Sequence, residues 1–154
     1  MDKIEQILEK NDVVSIGGFI GKTKDGIITT YERGGSDRTA ADLGILFHKK
    51  YDTVIDLEKD SSVVSADPKI VKNELEEVNE LSYNEARLAG MFGMKIVDPI
   101  AIKEILENGV EIPLTITNMN SPNMITRIQR KPEDKSGHPL KIVTGKRNLS
   151  LIHI

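Results

Sequence analysis

The sequence contains no cysteine and no tryptophan, and only 4% of its 154 residues are aromatic. The absence of cysteine excludes a disulfide framework and any metal site with cysteine ligands, and it fits a cytosolic protein. Because aromatic side chains are so scarce, the core must be built from Ile, Leu, Val, Ala and Met. Such a composition favours aliphatic helices packed in layers on a sheet.

An excess of positive charge is also missing, since 21 Lys and Arg residues face 24 Asp and Glu residues and give a net charge of −3. Binding to a nucleic-acid backbone needs a clear excess of Lys and Arg, so no nucleic-acid partner is expected. No apolar run approaches the roughly 20 residues that cross a bilayer, and the N-terminus has no signal-peptide pattern. The composition therefore predicts a soluble, cytoplasmic protein with no membrane partner.

The apolar pattern predicts strands that alternate with helices, which is typical of an α/β domain with a largely parallel sheet. A short helix is expected at the start, with Ile4, Ile7 and Leu8 on one face. The elements expected next are a buried strand over 13–20, a hairpin with its turn at 24–26 and its returning strand at 27–31, and a helix capped by Ser36 that ends near Lys50.

Two helix starts in the second half carry clear sequence signals. Ser82 and Glu85 form an S-x-x-E capping box before a helix that ends near Gly93. Pro99 stands where another helix begins, and Gly109 stands just after its end. Strands are expected over residues 52–57, 95–97, 113–117 and 125–128.

The most informative stretch is Arg33-Gly34-Gly35-Ser36-Asp37. It predicts a strand, a glycine turn and a helix start. Glycines allow the backbone to approach a ligand closely, and a helix N-terminus attracts an anion. An Arg can hold a carboxylate bidentately, while an Asp in the first turn can meet an ammonium group. The segment could therefore hold an amino acid by both charges, although an isolated Gly-Gly-Ser is more simply interpreted as a capped helix beside a solvated Arg.

Residues 18–41 resemble the aspartate kinases of the amino-acid kinase superfamily, which carry G-F-I-G-x-T-x-x-G-x-x-T-T-L-G-R-G-G-S-D-x-T-A-A. Order and spacing agree throughout, with Tyr31 and Glu32 in place of Leu-Gly. Three further segments follow in the family's order, so the resemblance is specific and covers roughly residues 4–130. They are 66–71, similar to A-D-P-R-x-V; 81–86, similar to L-S-Y-x-E-A; and 92–99, similar to F-G-A-K-V-L-H-P, with Asp98 for His.

The resemblance implies part of a three-layer α/β/α, carbamate kinase-like domain. Residues 1–130 correspond to its C-terminal portion, and residues 131–148 to a linker and the start of an ACT regulatory region, with 140–144 as a first strand. The family's N-terminal K-F-G-G motif is not in this sequence, so the chain alone is expected to be inactive. Residues 149–154 are the translation of CTG TCT CTT ATA CAC ATC, a sequencing-library adapter, and we hypothesise an artefact there; the alternative is a genuine strand.

The resemblance also implies roles for individual residues, with ATP and Mg²⁺ as cofactors and L-aspartate as substrate. The parent protein would be an ATP:L-aspartate 4-phosphotransferase at the first step of lysine, threonine and methionine synthesis, and the resemblance implies that it is a homo-oligomer. Asp37 and Lys95 are expected to act in catalysis. The residues expected to bind aspartate are Arg33, Gly34, Gly35, Ser36 and Asp37. Arg33 would bind a carboxylate and Asp37 the amino group. The residues expected to bind ATP are Lys69, Lys95 and Ile96, with weaker assignments for Glu58, Lys59 and Val64.

One departure from the family concerns the nucleotide. Residues 58–62 replace the family's T-D-V-D-G, and Val64 replaces an aromatic residue, so the nucleotide is held differently or with altered affinity. Two alternatives therefore stay open: a relative that phosphorylates a nucleotide or glutamate, and a non-catalytic regulatory module. The three histidines, His48, His138 and His153, lack metal-ligand spacing. Leu88, Met91 and Met94 are expected in the core.

Overall fold

The computed structural model describes residues 2–132 and 140–145. Within these residues it contains four helices and six strands. Residues 133–139 and 146–154, which include most of the expected linker, His138, His153 and the six-residue tail, lie outside the described residues. The elements are α1 (Asp2–Leu8), β1 (Ile20–Lys22), β2 (Ile28–Thr30), α2 (Gly35–Phe47), β3 (Ile55–Lys59), β4 (Glu80–Ser82), α3 (Tyr83–Met91), α4 (Pro99–Glu107), β5 (Leu114–Asn118) and β6 (Ser121–Gln129).

The main sheet has the strand order β3-β5-β6-β4. β3 pairs with β5 in parallel, with Ile55 opposite Leu114, and β4 pairs with β6 in parallel, whereas β5 and β6 form an antiparallel hairpin. The separate pair β1–β2 is antiparallel. The expected α/β fold with a mainly parallel sheet is therefore confirmed.

The core lies between this sheet and the helices α2, α3 and α4. Along β3, Ile55 and Leu57 are buried while Asp56 is exposed, because successive side chains of a strand point to opposite faces. On the outer face, Asp56 Oδ1 accepts hydrogen bonds from the hydroxyls of Thr115 and Thr117 at 2.6 and 2.9 Å. The fully buried side chains are mostly aliphatic, as the composition predicted. These side chains include Leu81, Ile102, Ile105, Ile112, Leu114 and Ile128.

Tyr83 is the one large aromatic residue at the centre of this core. Its hydroxyl donates a hydrogen bond to the carbonyl of Ile112 at 2.6 Å and accepts one from the Ile112 N–H at 3.0 Å. Burial raises the pKa of the Tyr83 phenol above its usual value, since the charged form would be poorly solvated. This side chain ties the start of α3 to the segment before β5.

Several expected elements are confirmed. The turn at 24–26 joins β1 to β2, with Gly26 at φ 90°. The capping box is complete: Ser82 Oγ accepts from the Glu85 N–H at 3.2 Å, and Glu85 Oε2 accepts from the Ser82 N–H at 2.6 Å. α4 begins at Pro99 and ends before Gly109. Met94 packs against the core as expected.

The buried strand expected over residues 13–20 is wrong. Only Ile20 lies in a strand, and Val13 is 86% exposed. In the part of the chain that the structure describes, no strand pairs with residues 13–19, so their apolar side chains have no sheet to join. The strand expected over residues 95–97 is also wrong: Ile96 and Val97 are buried but stand in an irregular segment.

Two expectations about helices are wrong as well. Ser36 is not the N-cap of α2, because Gly34 takes that position in the left-handed conformation and the helix begins at Gly35. Leu88 and Met91 are 47% and 54% exposed. The buried face of α3 carries Tyr83, Ala86 and Ala89, at a three-residue spacing that leaves positions 88 and 91 towards solvent. None of the helices in the described part of the chain is long and apolar enough to span a bilayer.

The Tyr83→Phe variant should lower the free energy of unfolding by about 2–3 kcal/mol, because it leaves the N–H and carbonyl of Ile112 buried without their partner. Urea unfolding followed by circular dichroism measures this change. Tyr51→Phe is the matched control, since Tyr51 is 40% exposed, and it should change stability by less than about 0.5 kcal/mol. Equal effects of the two substitutions would contradict the role given to the Tyr83 hydroxyl.

Candidate functional site

The glycine turn before α2 packs directly against the start of α4. Gly34 has φ 91°, and a Cβ on it would lie 1.9 Å from Asp98 Oδ2. A Cβ on Gly35 would lie 2.5 Å from side-chain atoms of both Phe19 and Tyr31. Neither position has room for a side chain, so the two glycines allow the N-terminus of α2 to reach its place.

Asp37 lies in the first turn of α2, where three elements meet. Its Oδ2 accepts a hydrogen bond from the Asp98 N–H at 2.9 Å, and its Oδ1 lies 3.3 Å from Lys59 Nζ. Asp98 in turn caps α4, because its Oδ1 accepts from the Ile100 N–H at 2.8 Å. The Asp37 side chain is only 17% exposed. It therefore joins the start of α2, the start of α4 and the carboxyl end of β3.

Arg33 and Ser36 are both exposed. Neither side chain makes a hydrogen bond or an ion pair within residues 2–132 and 140–145, and the structure does not bring Arg33 to Asp37. The N-cap Gly34 provides no side-chain cap for α2. The Gly35 N–H donates to the Glu32 carbonyl at 3.1 Å. The N–H groups of Ser36 and Asp37, which follow in the first turn, are therefore the ones suited to an external anion.

Tyr31, which replaces the family's Leu, belongs to a polar cluster on α2. Its hydroxyl donates to the Asp42 carboxylate, a hydrogen bond that raises the pKa of Tyr31. The Arg38 guanidinium stacks 4.6 Å from the centre of the Tyr31 ring and forms a 2.7 Å ion pair with Glu104. The substitution thus gives Arg38 a stacking partner while Arg38 fastens α2 to α4.

A cavity of about 750 Å³ opens at the carboxyl end of β3. It holds five of the six residues that the resemblance assigned to ATP: Lys59, Val64, Lys69, Lys95 and Ile96. Its lining consists of Lys59, residues 61–64, 66–71 and 92–96, Ile116, and residues 143–145.

Glu58 is the predicted ATP-binding residue that does not line the cavity. Glu58 is exposed, whereas the preceding residue of the strand, Leu57, is buried. The alternation of side chains along β3 sends Glu58 to the outer face of the sheet and leaves Lys59 on the inner face. The structure thus gives no support to a nucleotide contact by Glu58.

The lining of the cavity combines basic, polar and apolar side chains. Its lining holds three lysines against a single acidic residue, Asp67, whose Oδ1 accepts from the Lys69 N–H at 2.9 Å. Val63 and Ile96 belong to the buried core and provide apolar surface. A flat apolar ring with a polyphosphate chain would match this combination.

Residues 143–145, which follow the last strand by more than ten positions, also line the cavity. The Val143 N–H donates to the Ser65 carbonyl at 2.8 Å, and Thr144 Oγ1 donates to the Phe92 carbonyl at 3.2 Å. Lys141 Nζ lies 3.4 Å from Glu85. Burial alone would raise the pKa of Glu85, but the hydrogen bonds from Ser82 and the Lys141 charge outweigh it and lower that pKa. The strand expected over residues 140–144 is wrong: within residues 140–145, Val143 alone pairs with another segment, in an isolated parallel bridge to Ala66.

The model of the amino acid kinase family matches residues 1–118. The chain belongs to the amino acid kinase family. Among curated relatives, it is 30% identical over 155 residues to an aspartokinase of Rickettsia felis, across 99% of this chain and 37% of the relative. It is 29% identical to aspartokinase 1 of Bacillus subtilis, across 94% of this chain and 35% of the relative. The chain therefore spans about a third of the length of these relatives.

Solved structures of family members resemble the chain in the same way. An aspartate kinase of Clostridium acetobutylicum matches with a TM-score of 0.68 and 29% identity, over 94% of this chain and 32% of that one. E. coli aspartokinase III in complex with aspartate and ADP matches with a TM-score of 0.62 and 28% identity, over 76% and 25%.

The Gly34→Ala variant should lower the free energy of unfolding by roughly 2–4 kcal/mol, because the new Cβ meets Asp98 and occupies a left-handed backbone position. The Gly17→Ala variant is the matched control, since a Cβ there has nothing within 4 Å, and it should cost less than about 0.5 kcal/mol. Thermal unfolding of both variants measures the difference. A Gly34→Ala variant as stable as the unsubstituted chain would show that the turn does not need glycine.

Proposed function

We propose that this chain provides the nucleotide-binding part of an aspartate kinase, which transfers the γ-phosphoryl group of ATP to the 4-carboxylate of L-aspartate. The observation that carries this proposal is the cavity beside Asp37, lined by Lys59, Lys69 and Lys95 together with Val64 and Ile96. The similarity to aspartokinases supports the same activity. With only a third of the relatives' length, the chain alone is expected not to turn over substrate.

ATP fits the cavity in one orientation. The adenine lies against apolar side chains such as Val64 and Ile96, and the phosphates lie near the three lysines. Charge-assisted hydrogen bonds from lysine ammonium groups to phosphate oxygens are stronger than neutral ones. The lysines thus contribute most of the phosphate affinity, and Lys95 acts on the transferred group.

L-Aspartate binds at the start of α2 in this proposal. Arg33 and the first-turn N–H groups at Ser36 and Asp37 hold a carboxylate, while the Asp37 carboxylate receives the amino group. Gly34 permits this approach because it has no side chain. The support is the geometry of the turn and the exposed, unpaired Arg33 in the described part of the chain.

The chemistry needs positioning and charge stabilisation. The 4-carboxylate of aspartate is already ionised at neutral pH, so it attacks the phosphorus in line without a general base. The charge that spreads over the phosphoryl oxygens is stabilised by the lysines and by Mg²⁺. No group of three or more acidic or histidine residues suited to a metal occurs in residues 2–132 and 140–145. In this proposal Mg²⁺ is held mainly by phosphates and water, and Asp67 is the acidic residue among those that line the cavity in the described part of the chain.

The last part of the proposal concerns the full-length protein. We expect it to be a cytoplasmic, homo-oligomeric enzyme whose product enters lysine, threonine and methionine synthesis. We also expect a regulatory region after residue 130. This part is supported by the family resemblance and by the composition of the chain.

A second candidate is a module that binds nucleotide but does not react. The contact that favours it is the Lys59–Asp37 ion pair, since Asp37 is then not open to a substrate amino group. A coupled assay of the full-length parent with ATP and aspartate distinguishes the two: turnover supports the kinase, and binding without turnover supports the module. Turnover with glutamate or UMP but not aspartate would instead indicate another branch of the family.

The chain should bind ADP, and Lys69→Met should weaken that binding about tenfold, because a charge-assisted contact to phosphate is worth about 1.4 kcal/mol or more. Isothermal titration calorimetry measures both affinities. Lys103→Met is the matched control: Lys103 lies on α4, is 57% exposed and pairs with Glu107, away from the cavity. Equal ADP affinity in the unsubstituted chain and both variants would place the nucleotide elsewhere. If the unsubstituted chain does not bind ADP, the proposed site is refuted.

A further inference from the structure

Lys59 stands at the border between the two proposed subsites. Its side chain lines the cavity, yet its ammonium group lies 3.3 Å from Asp37 Oδ1 and 3.5 Å from Asp37 Oδ2. Of the three cavity lysines in the described residues, it is the one whose ammonium contacts a carboxylate. The side chain of Lys59 is 29% exposed, so the ion pair is open to the cavity on one side.

Asp37 has little capacity left for another cation. Its Oδ2 already accepts from the Asp98 N–H, and both oxygens face Lys59. A substrate amino group at Asp37 would stand next to the Lys59 ammonium, and two like charges on one carboxylate repel each other. While Lys59 remains in this position, it therefore competes with any ammonium ligand for Asp37.

A phosphate in the cavity changes this balance. The Lys59 stem is flexible, and its ammonium can turn from one set of acceptor oxygens to another. A diphosphate or triphosphate carries more negative charge than a carboxylate, and Lys69 and Lys95 also line the cavity and can help to hold it. Lys59 thus has two alternative partners, one in each subsite.

We propose that the Lys59 ammonium exchanges between Asp37 and a nucleotide phosphate, so that filling the cavity releases Asp37 for an amino group. This inference rests on the proposed function and extends it, because it makes the two ligands bind in order. By linkage, nucleotide would then raise the affinity for the amino acid by the same factor by which the amino acid raises that for nucleotide. Lys59 is in this sense a positioning residue and a gate.

The ¹³C resonance of the Asp37 carboxylate tests the exchange directly, in this chain and without turnover. The resonance is assigned with the Asp37→Asn variant, and ADP is the probe. Saturating ADP should move the Asp37 resonance of the unsubstituted chain to the position that it has in ligand-free Lys59→Met. In Lys59→Met itself, ADP should leave the resonance almost unchanged.

Lys69→Met is the matched control, because it removes a cavity lysine that does not contact Asp37. It should need about tenfold more ADP but reach the same final position of the Asp37 resonance. If ADP shifts the methyl resonances of Val64 and Ile96 but leaves Asp37 unmoved in the parent chain, Lys59 keeps its ion pair and the exchange is refuted, while the nucleotide site stands. If ADP shifts none of them, the proposed function fails and the exchange fails with it.

Discussion

The Asp37 carboxylate is the contact on which the rest of the site depends. It accepts the Asp98 N–H at 2.9 Å and the Lys59 ammonium at 3.3 Å, so one side chain links the start of α2, the start of α4 and the end of β3. Because it is largely buried, its charge needs both partners. The glycine turn follows from the same constraint, since Gly34 must lie against Asp98 for Asp37 to reach the Asp98 backbone.

This arrangement gives the molecule two neighbouring surfaces that suit different ligand groups. The turn before α2 offers helix N–H groups and the exposed Arg33 to a carboxylate, while the cavity offers lysines to phosphate and apolar walls to a ring. Lys59 touches both. Its ammonium forms the ion pair with Asp37, and its side chain lines the cavity.

Local sequence signals predicted the elements whose determinants are local. The capping box at Ser82 and the helix between Pro99 and Gly109 need only neighbouring residues, and both are confirmed. Elements that depend on distant partners were predicted poorly. Residues 13–19 have strand-forming composition but no strand beside them in the described part of the chain, and Ser36 lost the cap position to Gly34, which the contact with Asp98 favours.

The sequence by itself determined the family, the α/β class and five of the residues that line the cavity, because four motifs in fixed order constrain which strand ends and loops come together. Only the tertiary structure decided that Glu58 faces away, that residues 143–145 line the cavity, and that Lys59 pairs with Asp37. The physical reason is that these facts depend on the face of a strand and on contacts between residues 22 or more positions apart, which local pattern does not encode.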